Sequence, residues 1–399
     1  MNRRIIPRAM QSTLRKSFEI FPIVTVCGPR QSGKTTLCRT EFPNMPYLNL
    51  EDLTTRQFAT DDPKGFLAQY GDGAIIDEAQ LVPDLFGQIQ AIIDEDIFTG
   101  NSDRRFILTG SSNFALLPHL RQSLAGRTAI LTLLPMSTGE IVDAHIATGS
   151  AEEMIIAGGY PAVWTHASEH RRTVIENYIN TYVERDVRRL MEVKDLNKFA
   201  IFLRLCAARI GSELNKSSLA VEVGVSVPTI DSWISVLEAS YVIFLLRPWH
   251  NNIGKRMVKS PKLYFTDTAI ACSLLGFHNA EQLMGHPLRG ALFENLVVAN
   301  ATKYNLNRGL SQTLNFYRDK SGREVDLVRE DCGHLQAFEI KAGMTVRPEY
   351  FRHLDYFKSL LGEQLDATAI IYSGDVEMPK EDNGVINYMR FPDNFKVEL

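Results

Sequence analysis

Gly28-Pro29-Arg30-Gln31-Ser32-Gly33-Lys34-Thr35 is the stretch that decides the fold, because it has the spacing GxxxxGK[ST]. It follows an apolar run rich in β-branched residues, Phe21 to Cys27, which predicts a buried strand, and the residues from Lys34 onward predict a helix. A glycine-rich loop between strand and helix surrounds a phosphate with backbone N–H groups. The pattern predicts an α/β fold that binds ATP or GTP.

The residue types in this loop predict separate tasks. Lys34 is expected to reach the β- and γ-phosphates and the Thr35 hydroxyl to bind Mg²⁺, and Thr36 completes the set of predicted nucleotide contacts that starts at Gly28. A simple glycine-rich turn with an incidental lysine is the alternative. The strand before the loop and the helix after it favour the phosphate-binding interpretation.

A second apolar strand, Gly73 to Asp77, ends in the carboxylates of Asp77 and Glu78. If this strand runs parallel to the strand before the loop, Asp77 lies on the Mg²⁺ side and holds a metal-bound water. Glu78 would then be the base that orients and polarises the attacking water. Without the phosphate loop upstream, the favoured interpretation of this pair would be an acidic turn after a strand.

A third strand, Arg105 to Thr109, is followed by Gly110 and then by Ser111, Ser112 and Asn113. Polar side chains at the C-terminal edge of an α/β sheet lie where ligands bind, so these three are candidate sensors of the γ-phosphate or of the attacking water. Serine and asparagine also cap helices, and the residues alone leave both interpretations open.

Composition limits the class of protein. The chain has 399 residues, enough for two or three domains, and its 45% hydrophobic and 23% charged residues are typical of a globular protein. Five cysteines without CxxC spacing predict neither a zinc site nor a disulfide framework and favour a reducing, cytoplasmic compartment. No run approaches a membrane span, and no signal peptide is recognised. The formal net charge is −4, with only the segment 146–262 positive.

The order of these three strands resembles the AAA+ ATPases. The resemblance extends to Leu124-Ala125-Gly126-Arg127, the strand Thr128 to Leu134 and Pro135-Met136-Ser137, which are similar to one large prokaryotic AAA+ family. That family carries a C-terminal domain of unknown function with a restriction-endonuclease-like core. The resemblance implies that Arg127 is an arginine finger for the neighbouring subunit, in a ring such as a hexamer, with Arg121 as second choice. A surface arginine after a glycine turn is the alternative.

The middle segment predicts a helix-turn-helix. Asn215 to Val223 and Val227 to Leu237 have helical patterns, with a glycine-containing turn between them. Two strand-like runs follow, Val242 to Arg247 and Met257 to Phe265, so that the whole resembles a winged helix. The loop between them carries four candidate phosphate contacts, which are His250, Lys255, Arg256 and Lys259. A DNA-binding role and a plain lid on the ATPase core both remain open.

The preceding stretch, Glu169 to Glu192, has helical periodicity and is rich in arginine. Its arginines are Arg171, Arg172, Arg185, Arg188 and Arg189. They favour a solvated, salt-bridged helix face, with DNA contacts as the alternative. Between this stretch and the ATPase segment, Gly158-Gly159-Tyr160-Pro161 is a turn cluster that predicts a domain joint.

The C-terminal third carries a second group of acids. A hairpin is predicted around Lys320 to Arg323, with Asp326 in its second strand, and the next strand places Glu339 and Lys341 on one face. Together with Glu294 on an apolar helix, this set resembles the site of PD-(D/E)XK restriction-endonuclease-like nucleases. The resemblance implies that the three acids bind Mg²⁺ and that Lys341 acts on the attacking water. A DNA-docking or structural domain is the alternative.

These observations predict three domains: an AAA+ core of the P-loop class over residues 1–150, a winged-helix lid over 151–262 and a nuclease-like α/β domain over 263–399. The expected cofactors are ATP and Mg²⁺. The expected function couples ATP hydrolysis to remodelling or translocation of DNA, including branched DNA, by a homo-oligomer that does not contact a membrane. The alternatives are an ATP-regulated, metal-dependent nuclease and a regulatory ATPase switch that binds a protein partner.

Overall fold

The computed structural model describes most of the chain. The described residues are 5–100, 103–111, 124, 126–146, 149–183, 195–249, 260–311, 313–331, 333–378 and 383–391. They form two compact units. The first comprises residues 1–135, 239–241 and 306–310, and the second comprises 136–238, 242–305 and 311–399. The three-domain division predicted from the sequence stays a prediction.

The first unit contains a parallel five-stranded sheet, as the α/β prediction requires. Its strands are β1 (Ile23–Cys27), β2 (Tyr47–Asn49), β3 (Gly73–Asp77), β4 (Arg105–Gly110) and β5 (Thr128–Thr132), in the order β2-β3-β4-β1-β5. Its helices are α1 (Gln11–Ile20), α2 (Lys34–Glu41), α3 (Leu53–Asp61), α4 (Pro63–Ala68) and α5 (Asp84–Thr99). The parallel α/β fold is thus confirmed.

The central strands are buried on both faces, because helices cover both sides of a parallel sheet. Every residue of β1 is buried, and its side chains alternate between two cores. Ile23 and Cys27 belong to one core, and Val24 and Val26 belong to the other. The continuous apolar run before the phosphate loop is therefore the signature of a strand with no solvent-facing side.

The strand order brings the polar ends of three strands to one edge. Cys27, at the end of β1, is in register with Gly110 at the end of β4, and β3 pairs with β4 on the other side. Asp77 ends β3 and is in register with Asn49 at the end of β2. Because all strands are parallel, the phosphate loop, Asp77 and the residues after β4 meet at the carboxyl edge.

The second unit begins with helices. In chain order they are α6 (Thr138–Asp143), α7 (Ala151–Ala157), α8 (Pro161–Thr165), α9 (Arg171–Tyr178), α10 (Leu196–Ala208), α11 (Lys216–Val223) and α12 (Val227–Ala239). The stretch predicted from Glu169 is helical as far as it is described, with a 3-10 turn before α9 and a π-helical turn, Ile179–Val183, after it. Arg172 pairs with Glu176 at 2.7 Å, as a salt-bridged helix face predicts. The arginines at 185, 188 and 189 lie outside the described residues.

The predicted helix-turn-helix is present in α11 and α12. The two helices are bent by 106° relative to each other, and Gly224 ends α11 in the left-handed region at φ 73°. Asn215 caps α11 by accepting from the Ser218 backbone N–H at 2.9 Å. Within the described ranges no single helix is long and apolar enough to span a membrane, although this bent pair passes by length and composition alone.

A seven-stranded sheet forms the rest of the second unit. Its strands are β6 (Ile243–Pro248), β7 (Lys262–Phe265), β8 (Leu314–Arg318), β9 (Glu324–Asp331), β10 (His334–Lys341), β11 (Leu365–Tyr372) and β12 (Gly384–Asn387), in the order β12-β11-β10-β9-β8-β6-β7. Its helices are α13 (Thr268–Leu275), α14 (Ala280–Leu283), α15 (Arg289–Asn307) and α16 (Arg352–Leu361). The predicted hairpin is confirmed, since β8 and β9 are antiparallel around Lys320 to Arg323.

The two strands predicted as a wing are part of this sheet. β6 and β7 pair antiparallel, and β6 also pairs in parallel with β8 through Arg247 and Pro248. The pair therefore belongs to the seven-stranded sheet. The predicted contacts at 250, 255, 256 and 259 lie outside the described residues.

Candidate functional site

The phosphate loop needs glycine at its two ends for different reasons. At Gly28, whose φ is 150°, a Cβ atom would lie 2.1 Å from the carbonyl oxygen of Leu133, so the neighbouring backbone leaves no room for a side chain. Gly33 is left-handed at φ 97° where it begins α2. Between them Gln31 adopts φ 61°. The loop is thus bent back on itself at the start of α2, as phosphate binding at a helix N-terminus requires.

Lys34 is buried within this loop. Its Nζ donates to the carbonyl oxygens of Gly28 and Pro29, each at 2.9 Å. Burial lowers the pKa of Lys34, while the negative charges of Glu78 and Asp77 oppose that shift. The ammonium is therefore held by neutral carbonyls, from which anionic phosphate oxygens can draw it at little cost.

Asp77 is the centre of a hydrogen-bonded group at the sheet edge. Its Oδ2 accepts from Thr35 Oγ1 at 2.9 Å and from the hydroxyl of Tyr47 at 2.6 Å. Its Oδ1 accepts from Thr109 Oγ1. Burial comes first, and the hydrogen bond to Asp77 second, among the causes that raise the pKa of Tyr47. Three hydroxyls thus fix the carboxylate beside the phosphate loop.

The arrangement of Thr35 and Asp77 fits a magnesium ion. Mg²⁺ prefers oxygen ligands and is usually held by one or two protein oxygens together with substrate phosphates. The two side-chain oxygens are adjacent, and Ser32 Oγ in the same loop is buried without a hydrogen-bond partner among the described residues. This hydroxyl is therefore available to bind a phosphate oxygen or its metal.

Glu78 follows directly after β3 and has a strained backbone, with φ 55° in the left-handed region. Its Oε2 accepts from Ser111 Oγ at 2.9 Å and from the Gln80 side-chain amide, and its backbone N–H lies 3.4 Å from Thr109 Oγ1. Ser111, a predicted sensor, therefore contacts the predicted base itself. Ser112 and Asn113 lie outside the described residues.

Arg127 forms an ion pair inside the first unit. Its Nε donates to Asp94 on α5, and the two side chains are 31% and 41% exposed. The guanidinium is thus accessible, but it must leave Asp94 to act on another subunit.

The remaining predicted site residues lie as follows. Arg30 of the loop pairs with Glu51 at 3.0 Å, while Thr36 is exposed on α2. Arg121 lies outside the described residues.

Two contacts at Asp77 were missed by sequence reasoning, those of Tyr47 and Thr109. Thr109 stands at the end of a predicted strand, immediately before Gly110, and its position next to an acid-tipped strand was a usable signal. Tyr47 lies on the three-residue strand β2, too short for a clear pattern. Its role follows only from the pairing of β2 with β3.

Residues 21–142 match the family described as AAA domain. The first unit contains an AAA-type P-loop ATPase core. Two further matches, to the families described as Domain of unknown function (DUF8612) and Domain of unknown function (DUF4143), cover residues 148–281 and 289–391. The matched range of the ATPase core contains the phosphate loop, Asp77, Glu78 and Arg127, and it supports ATP hydrolysis as the activity of this domain.

Two curated proteins are similar to this chain over nearly its whole length. An uncharacterized protein of Mycobacterium tuberculosis and one of Mycobacterium bovis are each 29% identical over 381 residues, covering 95% of this chain and 82% of the relative. Among solved structures, the Walker-type ATPase of Pyrococcus abyssi is 15% identical, with a TM-score of 0.46. The match covers 68% of this chain and 96% of the Pyrococcus chain. The Orc1 protein of Aeropyrum pernix in complex with DNA is 14% identical, with a TM-score of 0.31. The match covers 69% of this chain and 93% of the Orc1 chain.

The acids predicted as a nuclease site lie close together in the second unit. Lys341 Nζ is 2.7 Å from Glu339 Oε1 and 3.7 Å from Asp326 Oδ2, and Asp326 also accepts from the Ile340 backbone N–H at 2.8 Å. Glu339 Oε2 is buried without a partner among the described residues. Burial and the charge of Asp326 raise the pKa of Glu339 to about 8, against the effect of Lys341.

Glu294, the predicted helical acid, has partners that the sequence did not predict. Its Oε1 accepts from Lys262 Nζ at 2.9 Å and from the hydroxyl of Tyr264 at 2.5 Å. Burial and Asp326 raise the pKa of Glu294 to about 7, while Lys262 lowers it. Among the described residues, no group of three histidine, cysteine, aspartate or glutamate side chains is placed to hold a metal ion. The carboxylates as arranged do not fit the Mg²⁺ site that the nuclease resemblance implies.

Proposed function

We propose that the protein couples ATP hydrolysis by its AAA-type core to remodelling or translocation of DNA. The observation that carries the hydrolytic part is the contact of Asp77 with Thr35 beside a glutamate that Ser111 holds in place. The helix-turn-helix in the second unit supports the DNA part. The proposed three domains are those expected from the sequence, and the proposed compartment is the cytoplasm, because the four described cysteines are free and buried.

In the hydrolytic step, the residues of the loop bind and orient the nucleotide. Lys34 exchanges its two carbonyl partners for phosphate oxygens, and Thr35 and Asp77 hold Mg²⁺, which supplies charge neutralisation when bound. Glu78 is the group that accepts a proton from the attacking water, and the hydrogen bond from Ser111 fixes the direction of its carboxylate. Each role is assigned to an oxygen or nitrogen atom that the fold already places at the sheet edge.

The proposed working form is a homo-oligomer, in which Arg127 of one subunit stabilises the charge at the γ-phosphate of the next. An arginine finger supplied by a neighbour makes hydrolysis depend on assembly. Arg127 is partly exposed and paired with Asp94 in one chain. Assembly would therefore exchange an internal carboxylate partner for the neighbour's phosphate, in a ring such as a hexamer.

The DNA-binding proposal rests on α11, α12 and the angle between them. A pair of helices joined by a short glycine turn at about 90–120° is the geometry in which a second helix enters the major groove. Two basic residues at this pair are engaged in ion pairs. Arg209 binds Glu222, and Lys216 binds Asp231 on α12. Binding would break such pairs, so we expect DNA affinity to be moderate and to fall steeply with salt.

The experiment measures steady-state ATP hydrolysis by the full chain against duplex, forked and single-stranded DNA at two salt concentrations. Stimulation by one of these DNAs, lost in a variant with Lys216→Glu and Thr229→Glu on the helix pair, supports the proposal. The matched control carries Lys64→Glu and Thr60→Glu in the first unit. If no DNA binds or changes the rate, the DNA part is wrong, and the rival of a regulatory switch with a protein partner takes its place.

A further inference from the structure

Lys262 is the most deeply buried cation of the C-terminal sheet, and the sequence patterns gave it no role. It lies at the start of β7, at the edge of the sheet, and its side chain is 2% exposed. Burying an ammonium without a partner is strongly unfavourable, so a buried lysine must be surrounded by compensating groups. The role of Lys262 can therefore be inferred from the groups that surround its ammonium.

The groups around Lys262 are carboxylates from two other elements. Its Nζ is 2.9 Å from Glu294 Oε1 on α15 and also pairs with Glu324 on β9. The ring of Phe316 on β8 lies 5.4 Å away and closes another side. The amine is therefore enclosed by the carboxylates of Glu294 and Glu324 and by an aromatic ring.

The same amine and a neighbouring hydroxyl occupy one of the two carboxylate oxygens of Glu294. Glu294 Oε1 accepts hydrogen bonds from both Lys262 and Tyr264, two residues apart on β7. Both donors point from one strand, so the carboxylate is fixed toward β7. A divalent cation requires several oxygen lone pairs that converge on one point. Glu294 cannot offer its bonded oxygen to such a point while Lys262 remains in place.

The remaining acids are balanced in a similar way. Lys341 contacts Glu339 at 2.7 Å and lies 3.7 Å from Asp326. Arg318 lies 3.4 Å from Glu324 and 3.3 Å from Glu213. Glu324 is therefore next to two cations, Lys262 and Arg318. Four carboxyl groups of the cluster, Glu294, Glu324, Asp326 and Glu339, thus face cations that belong to the chain itself.

We infer that Lys262 is the resident cation of this cluster, and that it balances Glu294 in the position where the nuclease resemblance would place a divalent metal ion. The C-terminal sheet is therefore independent of metal in its resting form. It gains a cation site, made of Glu294, Asp326 and Glu339, when the ammonium of Lys262 is removed. This inference does not depend on ATP hydrolysis or on DNA binding.

The test uses Mn²⁺ as the probe with the nucleotide-free full chain. Binding is measured by electron paramagnetic resonance and calorimetry, and any binding that disappears in Asp77→Asn is assigned to the phosphate loop. We expect wild type to bind no Mn²⁺ that depends on Glu294. We expect Lys262→Met to bind one additional Mn²⁺ per chain, with a Kd at least tenfold below the highest Mn²⁺ concentration at which wild type shows no Glu294-dependent binding, and Glu294→Gln in the same chain to abolish it.

Lys303→Met is the matched control, because Lys303 is also a buried lysine, 3.9 Å from Asp267 elsewhere in the same unit. It should gain no Mn²⁺ site. If Lys262→Met does not fold, melting temperatures of wild type and Glu294→Gln, each in EDTA and in Mn²⁺, decide the question. Equal values in both media for each protein support the inference. Mn²⁺ binding or stabilisation of wild type that is lost in Glu294→Gln overturns it, as does a Lys262→Met protein that folds without gaining a site.

Discussion

Thr35 Oγ1 donates a 2.9 Å hydrogen bond to Asp77 Oδ2, which joins the end of the phosphate loop to the end of β3. Both oxygens are the kind that Mg²⁺ prefers. Thr35→Ala should therefore reduce kcat/KM for ATP by at least about 10²-fold, equivalent to about 2.7 kcal/mol of transition-state stabilisation. Thr40→Ala, at an exposed threonine further along α2, is the control. Equal rates for the two variants in a Mg²⁺-titrated hydrolysis assay would contradict the assignment.

Glu78 is expected to be the general base, since its carboxylate is held by Ser111 at the edge where the γ-phosphate would lie. Glu78→Gln should keep ATP binding and lower kcat by about 10²–10⁴-fold, the range of general-base catalysis. Ser111→Ala removes only the hydrogen bond and should lower kcat less. Binding is measured with a fluorescent ATP analogue and turnover by phosphate release. Glu95→Gln, at an exposed acid of α5, should change neither, and unchanged hydrolysis in Glu78→Gln would refute the base.

The contrast between this site and the C-terminal cluster explains what the sequence could predict. The phosphate loop, β1 and the start of α2 are contiguous, so local pattern predicted them together. The hydroxyls of Tyr47 and Thr109 reach Asp77 only because β2, β3 and β4 are neighbours, an order that no local pattern contains. Lys262 and Glu294 meet across 32 residues of chain. Their pairing depends on how the sheet and α15 pack, and that information is tertiary.

The same limit applies to β6. Its apolar run predicted a strand correctly, and its antiparallel partner β7 was also expected. Its second pairing, in which Arg247 and Pro248 run parallel to Asn315 and Phe316, joins segments far apart in sequence. Parallel partners need a long crossover connection, and hydrophobic periodicity does not identify which strand lies at its far end. The strand was therefore predictable, whereas its membership of the C-terminal sheet was not.

The turn at Gly158 should be intolerant of any side chain. Gly158 has φ 62°, and a Cβ atom there would lie 2.0 Å from Asp267 Oδ1, a buried carboxylate that also accepts from the Gly159 N–H at 2.7 Å. Gly158→Ala should cost about 2 kcal/mol or more in unfolding free energy. Gly290→Ala, on α15 with no atom within 4 Å of the added Cβ, should be neutral or stabilising. Urea denaturation measures both, and equal midpoints would contradict the packing argument.

The raised pKa of Glu339 predicts a pH dependence of stability. Its pKa is raised to about 8 in the fold, first by burial and then by Asp326, whereas an unfolded glutamate titrates near about 4.3. Between these values the folded state binds more protons, so its contribution to the unfolding free energy is lost as pH rises through that window. Glu339→Gln cannot ionise and should therefore gain stability relative to wild type between about pH 5 and about pH 8.

The measurement is the difference in melting temperature between Glu339→Gln and wild type at several pH values. A change of about 1 kcal/mol would move the melting temperature by about 2–4 °C in a unit of this size. Glu349→Gln, at an exposed acid with a 3.6 Å surface pair to Arg347, should show no such trend. A difference that is constant with pH for Glu339→Gln would show that the carboxyl is ionised at the same pH in both states.

The ion pair of Arg127 with Asp94 allows the arginine-finger proposal to be tested by subunit mixing. Arg127→Ala alone should abolish most hydrolysis, and a loss of about 10³-fold or more is expected of a missing finger. Asp94→Ala removes one internal partner of Arg127 and no predicted catalytic group, so it should leave the rate unchanged or raise it. Mixing Arg127→Ala with Glu78→Gln should then restore activity, because some interfaces combine an intact Glu78 with an intact Arg127. If Asp94→Ala is as inactive as Arg127→Ala and the mixture stays inactive, the pair serves only the fold of the first unit.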